Sequence, residues 1–332
     1  AVSSPALPTP SPTATGTPSP TLTPAPARVR AALVRGPQVA AMVSRAVELA
    51  GGLAGLKPGA TVLIKPNVNS DDPYPGTTNP AVVHAVVEVV KTYRPGRIIV
   101  ADRSNPQYDT MRSMQKLGIY EEARAAGAEV QALDRQEWVT AKPKRFSSWQ
   151  DLDVPRLLLE ADYVISVPVA HTHFLAGFSM ALKNWIGMIH PRNRDVMHSL
   201  PQAYRPSISF SPPEWVVRHF GPWVAEANLP RPADFVVMDA TKALVSGGPA
   251  TGEQVSPGLV LACRDLVAAD AAGLALLKHL GAWAAVSDKP VWQQPQLVHA
   301  IEKGLGLRGP QDMELVGEGV GELEAIKRRL LE

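Results

Sequence analysis

Short runs of β-branched and apolar residues recur along this chain, each followed by a turn and then a stretch with helical spacing. That alternation restricts the fold to the α/β class. The clearest run is Ala161-Asp162-Tyr163-Val164-Ile165-Ser166-Val167-Pro168-Val169, which has the composition of a strand buried on both faces in a parallel sheet. Further strands are expected over residues 29–34, 61–64, 97–101, 129–133, 235–238, 258–263 and 313–316. Helical segments are expected over 38–50, 80–90, 110–126, 179–189, 213–227, 266–280, 295–303 and 321–331. Asn79-Pro80 is an N-cap followed by a first-turn proline, a strong helix start. The predicted architecture is a mostly parallel β-sheet flanked by helices. A chain of 332 residues exceeds the ~250–300 at which single cores tend to divide, so either two lobes, about 28–150 and 151–332, around one cleft or one enlarged α/β domain is expected.

Several function classes lose ground on composition. A net charge of +2 with 19% charged residues leaves no basic stripe for nucleic acid. No run approaches the roughly 20 apolar residues that span a bilayer, so no transmembrane segment is expected. Cys263 is the single cysteine, so this chain alone builds no disulfide, thiolate zinc cluster or iron–sulfur cluster. Residues 1–27 are almost entirely Pro, Thr, Ser and Ala, a composition that buries too little apolar surface to fold. They are expected to be a disordered spacer carrying an extracytoplasmic domain, in the periplasm or at the cell surface, after removal of an N-terminal export signal. There is no Gly-X-Ser-X-Gly elbow, P-loop or Gly-X-Gly-X-X-Gly fingerprint.

Chemistry concentrates after the Tyr163 run. Four of the eight histidines, His171, His173, His190 and His198, fall within 28 residues. In an open α/β sheet, ligands gather beyond the carboxyl ends of the strands, which is where this cluster begins. If the chain stays extended through Thr172, His171 and His173 lie on one strand face and could hold one divalent transition metal, since neutral imidazole is its commonest ligand. Lys65-Pro66-Asn67 ends another strand, and Thr77 precedes a helix N-terminus that favours an anion. Lys183 and Asn184 sit in an otherwise apolar helix, where an unpaired charge is costly and a bound anion would pair it. Asp239 closes a further strand ahead of a Gly247-Gly248 turn, and Asp239 and His190 are the candidate proton-transfer groups.

Taken in order, these segments resemble the family called domain of unknown function 362. The similarity is carried by Ile64-Lys65-Pro66-Asn67, Thr77-Thr78-Asn79-Pro80, Val167-Pro168, Leu182-Lys183-Asn184 with Gly187, and Asp239-Ala240. It continues through Gly248-Pro249 with Gly252, Asp265-Leu266-Val267-Ala268-Ala269-Asp270-Ala271 and the Gly304–Gly306 segment, covering essentially everything after the spacer. It implies the fold and the site's location more than a reaction. Two departures stand out. Members commonly carry lysine where this chain has His171, and many carry ferredoxin-like cysteine clusters that this chain lacks, so an electron-transfer role does not carry over.

The expected function is binding of a small anionic molecule in one cleft. Lys65, Asn67, Thr77, Lys183 and Asn184 would hold the ligand, His171 and His173 a divalent metal, and Asp239 or His190 would move protons as part of a metal-assisted enzyme. The alternative is a non-catalytic extracytoplasmic protein that captures a metal or metal chelate. A partner-docking module, using Trp215 and Trp223, is a third reading.

Overall fold

The computed structural model describes residues 28–201 and 204–332; the spacer expected over residues 1–27 lies outside the described residues. The strands in chain order are β1 (Val29–Arg35), β2 (Thr61–Pro66), β3 (Arg97–Asp102), β4 (Glu129–Ala132), β5 (Trp138–Ala141), β6 (Leu152–Pro155) and β7 (Tyr163–Val167). They continue with β8 (Val169–His173), β9 (Gly177–Ser179), β10 (Phe235–Leu244), β11 (Gln254–Val255), β12 (Leu259–Cys263) and β13 (Met313–Glu318). The sheet runs β13-β1-β12-β10-β7-β2-β3-β4, with β8 and β11 paired to β10 and β9 paired to β8. Only β12 on that path is antiparallel to its neighbours, so the expected mostly parallel α/β sheet is what forms. β5 and β6 pair separately.

The two halves expected as possible lobes do not form separate sheets. β1, from the N-terminal half, lies between β13 and β12 of the C-terminal half, so residues 28–150 and 151–332 share one sheet. Pairing of the first strand with the last stitches the halves into one body.

Alternation along each strand feeds two cores. Leu63, Ile99 and Val164 face one side with Val216, Phe220, Leu274 and Leu297. Val62, Ile64, Val100 and Ile165 face the other with Met42, Val43, Val82 and Val86. The second face is covered by α1 (Val39–Leu49), α2 (Pro80–Lys91) and α4 (Ile119–Ala125), with α3 (Thr110–Lys116) beside α4. After α5 (Arg156–Glu160), α6 (Ala181–Asn184) and α7 (Pro191–Met197), the first face is covered by α8 (Glu214–Ala227), α9 (Leu266–His279), α11 (Pro295–Glu302) and α12 (Leu323–Leu331), with α10 (Ala284–Ser287) between. None of these described helices is long and apolar enough to cross a membrane.

Three local features refine the sequence pattern. The apolar 161–169 run is two strands, because Pro168 lacks the amide that would continue the ladder. The 110–126 segment breaks at Gly118, whose φ of 77° is left-handed. The expected 179–189 helix is a single α turn, α6, that tightens into a 3₁₀ turn over Trp185–Met188. Of the two tryptophans on α8, Trp223 packs edge-on against Trp149 at 4.6 Å, whereas Trp215 is 48% exposed.

Candidate functional site

β2, β3 and β7 end side by side, and their last residues form a buried polar network. Lys65 Nζ donates to Asp102 Oδ1 (2.6 Å), Pro66 O (2.8 Å) and Asn184 Oδ1 (3.1 Å), which uses all three ammonium protons. Asp102 also accepts from the Val68 and Arg103 amides, at 2.6 and 2.7 Å. Asn184 Nδ2 donates to Ser166 Oγ and to Lys65 O, at 3.0 and 3.2 Å. Burial lowers the Lys65 pKa from its ordinary value, against the attraction of Asp102. Gly187 closes over this network: a Cβ there would lie 2.6 Å from Lys65 Nζ and also meet Asp102 Oδ1. The sequence places Lys65 and Asn184 in one site, and the structure joins them, but each is already saturated by the protein.

Beside the network lies a cleft of about 440 Å³, whose walls include Asn67, Arg103, His173, Lys183, Arg194 and His198. Three of its cations, Lys183, Arg103 and Arg194, lack a close protein counter-ion such as Lys65 has in Asp102. Lys183 has no hydrogen-bond or ion-pair partner among the described residues. Burial, with Arg194 nearby, lowers its pKa to about 7. Arg103 makes one long ion pair, Nε to Asp134 at 3.8 Å, and its buried Nη1 has no partner. Arg194 donates only to the carbonyls of Ile186, Ser104 and Arg103, at 2.8, 3.2 and 3.2 Å. Those bonds tie α7 to the end of β3 without cancelling the guanidinium charge.

The chain does stay extended through Thr172, and both histidines are buried on β8. Three of their four ring nitrogens are committed. His173 Nδ1 accepts from the amides of Leu175 and Ala176, at 3.1 and 3.2 Å, so its proton sits on Nε2 and the ring is a donor in the cleft wall. His171 Nδ1 lies 2.9 Å from Thr172 O, and its Nε2 is 3.4 Å from Asn67 Nδ2. Burial pushes the His171 pKa down to about 4 and holds His173 well below its ordinary value, so both are neutral. Neutral imidazoles suit a metal, but no group of three or more His, Cys, Asp or Glu side chains converges among the described residues. With His173 Nδ1 filled by two amides, the pair does not fit a shared ion as it stands.

The remaining sequence candidates lie outside the cleft lining. Asp239 is fully buried and accepts from Thr241 N (3.0 Å), Thr241 Oγ1 (2.9 Å), Tyr74 Oη (3.1 Å) and the Asn79 amide that opens α2 (3.1 Å). It fastens β10 to the α2 N-terminus. Thr77 is buried and donates to Asp72 O at 3.0 Å. His190 caps α7 by accepting from Arg192 N at 3.2 Å and meets Trp138 edge-on. Sequence reasoning passed over Arg103 and Arg194. Arg103 follows Asp102 at a strand's carboxyl end, a position that could have flagged it; Arg194 carries no local signal.

Residues 62–275 match the family described as Domain of unknown function (DUF362). The match spans well over half of the chain, and the protein belongs to that family. No curated protein matches the chain at a significant level. Among solved structures, it is similar to the lactate racemase apoprotein from Thermoanaerobacterium thermosaccharolyticum, with 17% identity, a TM-score of 0.41, and coverage of 64% of this chain and 50% of that one. It is also similar to a structural-genomics protein from Thermotoga maritima, with 14% identity, a TM-score of 0.38, and coverage of 62% and 50%. The chain spans about half the length of each.

Proposed function

We propose that the cleft binds a small oxyanion, a carboxylate or phosphate-type group, with Lys183 and Arg103 as its cationic contacts and His173 Nε2–H as a neutral donor. The observation that carries this reading is that Lys183 Nζ and buried Arg103 Nη1 lack partners in one cleft. A buried donor without a partner costs about 1–3 kcal/mol, more when charged, and an anion would recover that. Lys183, with its pKa near 7, is the group an enzymatic role would use for proton exchange at neutral pH. Lys65 and Asn184 support the site without donating to the ligand, and the reading routes nothing through a metal.

Titration calorimetry with sulfate, phosphate and acetate tests this directly. Lys183→Met and Arg103→Met should each weaken binding by roughly tenfold or more, the equivalent of about 1.4 kcal/mol. Unchanged affinity in both variants sinks the reading. We further propose an extracytoplasmic location, on the Pro-, Thr- and Ser-rich composition of residues 1–27. Recovery of the native protein in the cytoplasmic fraction of its source cells would count against it.

A further inference from the structure

Asp270 is fully buried on α9 and faces no cation. Its oxygens accept from the backbone amides of Ala181 (2.6 Å) and Leu182 (3.1 Å), the first two residues of α6. Burial raises its pKa to about 7. An uncompensated buried carboxylate is costly, and α9 is otherwise apolar over the buried stretch 266–277, so packing alone would favour another aliphatic residue here. Gly273, one helical turn on, bares the same face: a Cβ there would meet the sulfurs of Met180 and Met238. α9 is therefore shaped at two positions to receive the 180–182 segment. Lys183 is the next residue along that turn. The turn's other ties are Asn228 Nδ2 to Leu182 O (3.1 Å) and the Asn184 side chain.

We infer that Asp270 is a positioning residue for the cleft: by clasping the first two amides of α6 it fixes where Lys183 enters the anion site. This rests on the reading of Lys183 as an anion-binding group. Asp270→Asn keeps the side chain's size but offers an acceptor to only one of the two amides.

Sulfate affinity is measured for the native protein, Asp270→Asn, Lys183→Met and the double variant, with circular dichroism confirming folding. Asp270→Asn should weaken sulfate binding by about fivefold in the native background and leave it unchanged in the Lys183→Met background, the signature of coupled residues. Pulse acylation across about pH 6 to 9 should show an altered Lys183 labelling profile, as expected when an amine's surroundings change. Equal loss in both backgrounds, or unchanged affinity with unchanged labelling, overturns the inference. If the native protein binds no sulfate, phosphate or acetate, the anion reading fails while the labelling still judges Asp270. If Asp270→Asn does not fold, amide hydrogen exchange in the native chain decides. The clasp requires slow exchange at Ala181 and Leu182, and rapid exchange there overturns it.

Discussion

Lys65 and Lys183 both line the cleft, but the protein ties them in opposite ways. Lys65, at the end of β2, spends its three protons on Asp102, Asn184 and its own neighbour's carbonyl. Lys183, on α6, has none of these ties among the described residues. One lysine joins strands to the turn beside them, and the other makes no hydrogen bond or ion pair among the described residues. The contrast teaches that an ammonium in a cleft is a candidate ligand contact only after its protons have been accounted for.

The sharpest way to break this comparison is to remove each lysine in turn and measure stability. Lys65→Met strands Asp102 without its counter-ion, and breaking a buried pair from one side costs about 3–5 kcal/mol. Urea unfolding should report a loss of that size. Lys183→Met removes an ammonium with no protein partner, strands no counter-ion, and should not lower stability. If the two variants lose equal stability, the distinction between a tied and an untied lysine is wrong.

A smaller effect separates the cleft from the carboxylate that sequence reasoning placed in it. Asp239→Asn replaces an acceptor of four hydrogen bonds with a group that has one oxygen, at a cost of about 1–3 kcal/mol in stability. Because Asp239 fastens β10 to α2 outside the cleft lining, sulfate affinity should be unchanged in the folded variant. A large loss of affinity at constant fold would restore Asp239 to the site.

These outcomes bear on how much of the molecule is legible in its sequence. The α/β class and most of the succession of strands and helices along the chain follow from period and composition, which are local properties. Lys65, Asn67, His173, Lys183 and Asn184, which stand at strand ends or in an otherwise apolar turn, all line the cleft. Their division of labour was not readable, because it depends on contacts between residues over a hundred positions apart, such as Lys65 with Asn184. Thr77, Asp239 and His190 were drawn in by the same local signals and turn out to serve caps and turns, where such side chains are at least as useful. Arg194 was missed since its neighbours along the chain say nothing of the three carbonyls it joins. Length alone left two lobes or one domain open, because it cannot register that β1 pairs with β12 and β13.

The finest test of the contrast is the pH dependence of stability. Burial lowers the Lys183 pKa from its ordinary 10.5 to about 7, so between those values the unfolded chain holds a proton that the native chain has released. The unfolded state then binds more protons, and linkage makes stability rise with pH across that window. Below about pH 7 both states are protonated and the contribution is flat, with the native state carrying the full cost of the unpaired ammonium. Burial also lowers the Lys65 pKa, so the native slope contains both lysines. The difference between native protein and Lys183→Met isolates one of them. Urea midpoints at pH 7, 8, 9 and 10 should climb less steeply in Lys183→Met than in the native chain, the difference in slope being at most about 1.4 kcal/mol per pH unit. Saturating sulfate should flatten the native curve in the same way, because an anion on Lys183 favours its charged form and raises its pKa back toward the unfolded value. Parallel curves for the native and variant proteins without sulfate would mean that Lys183 is neither isolated nor shifted, and the case for an open cationic contact would fall with it.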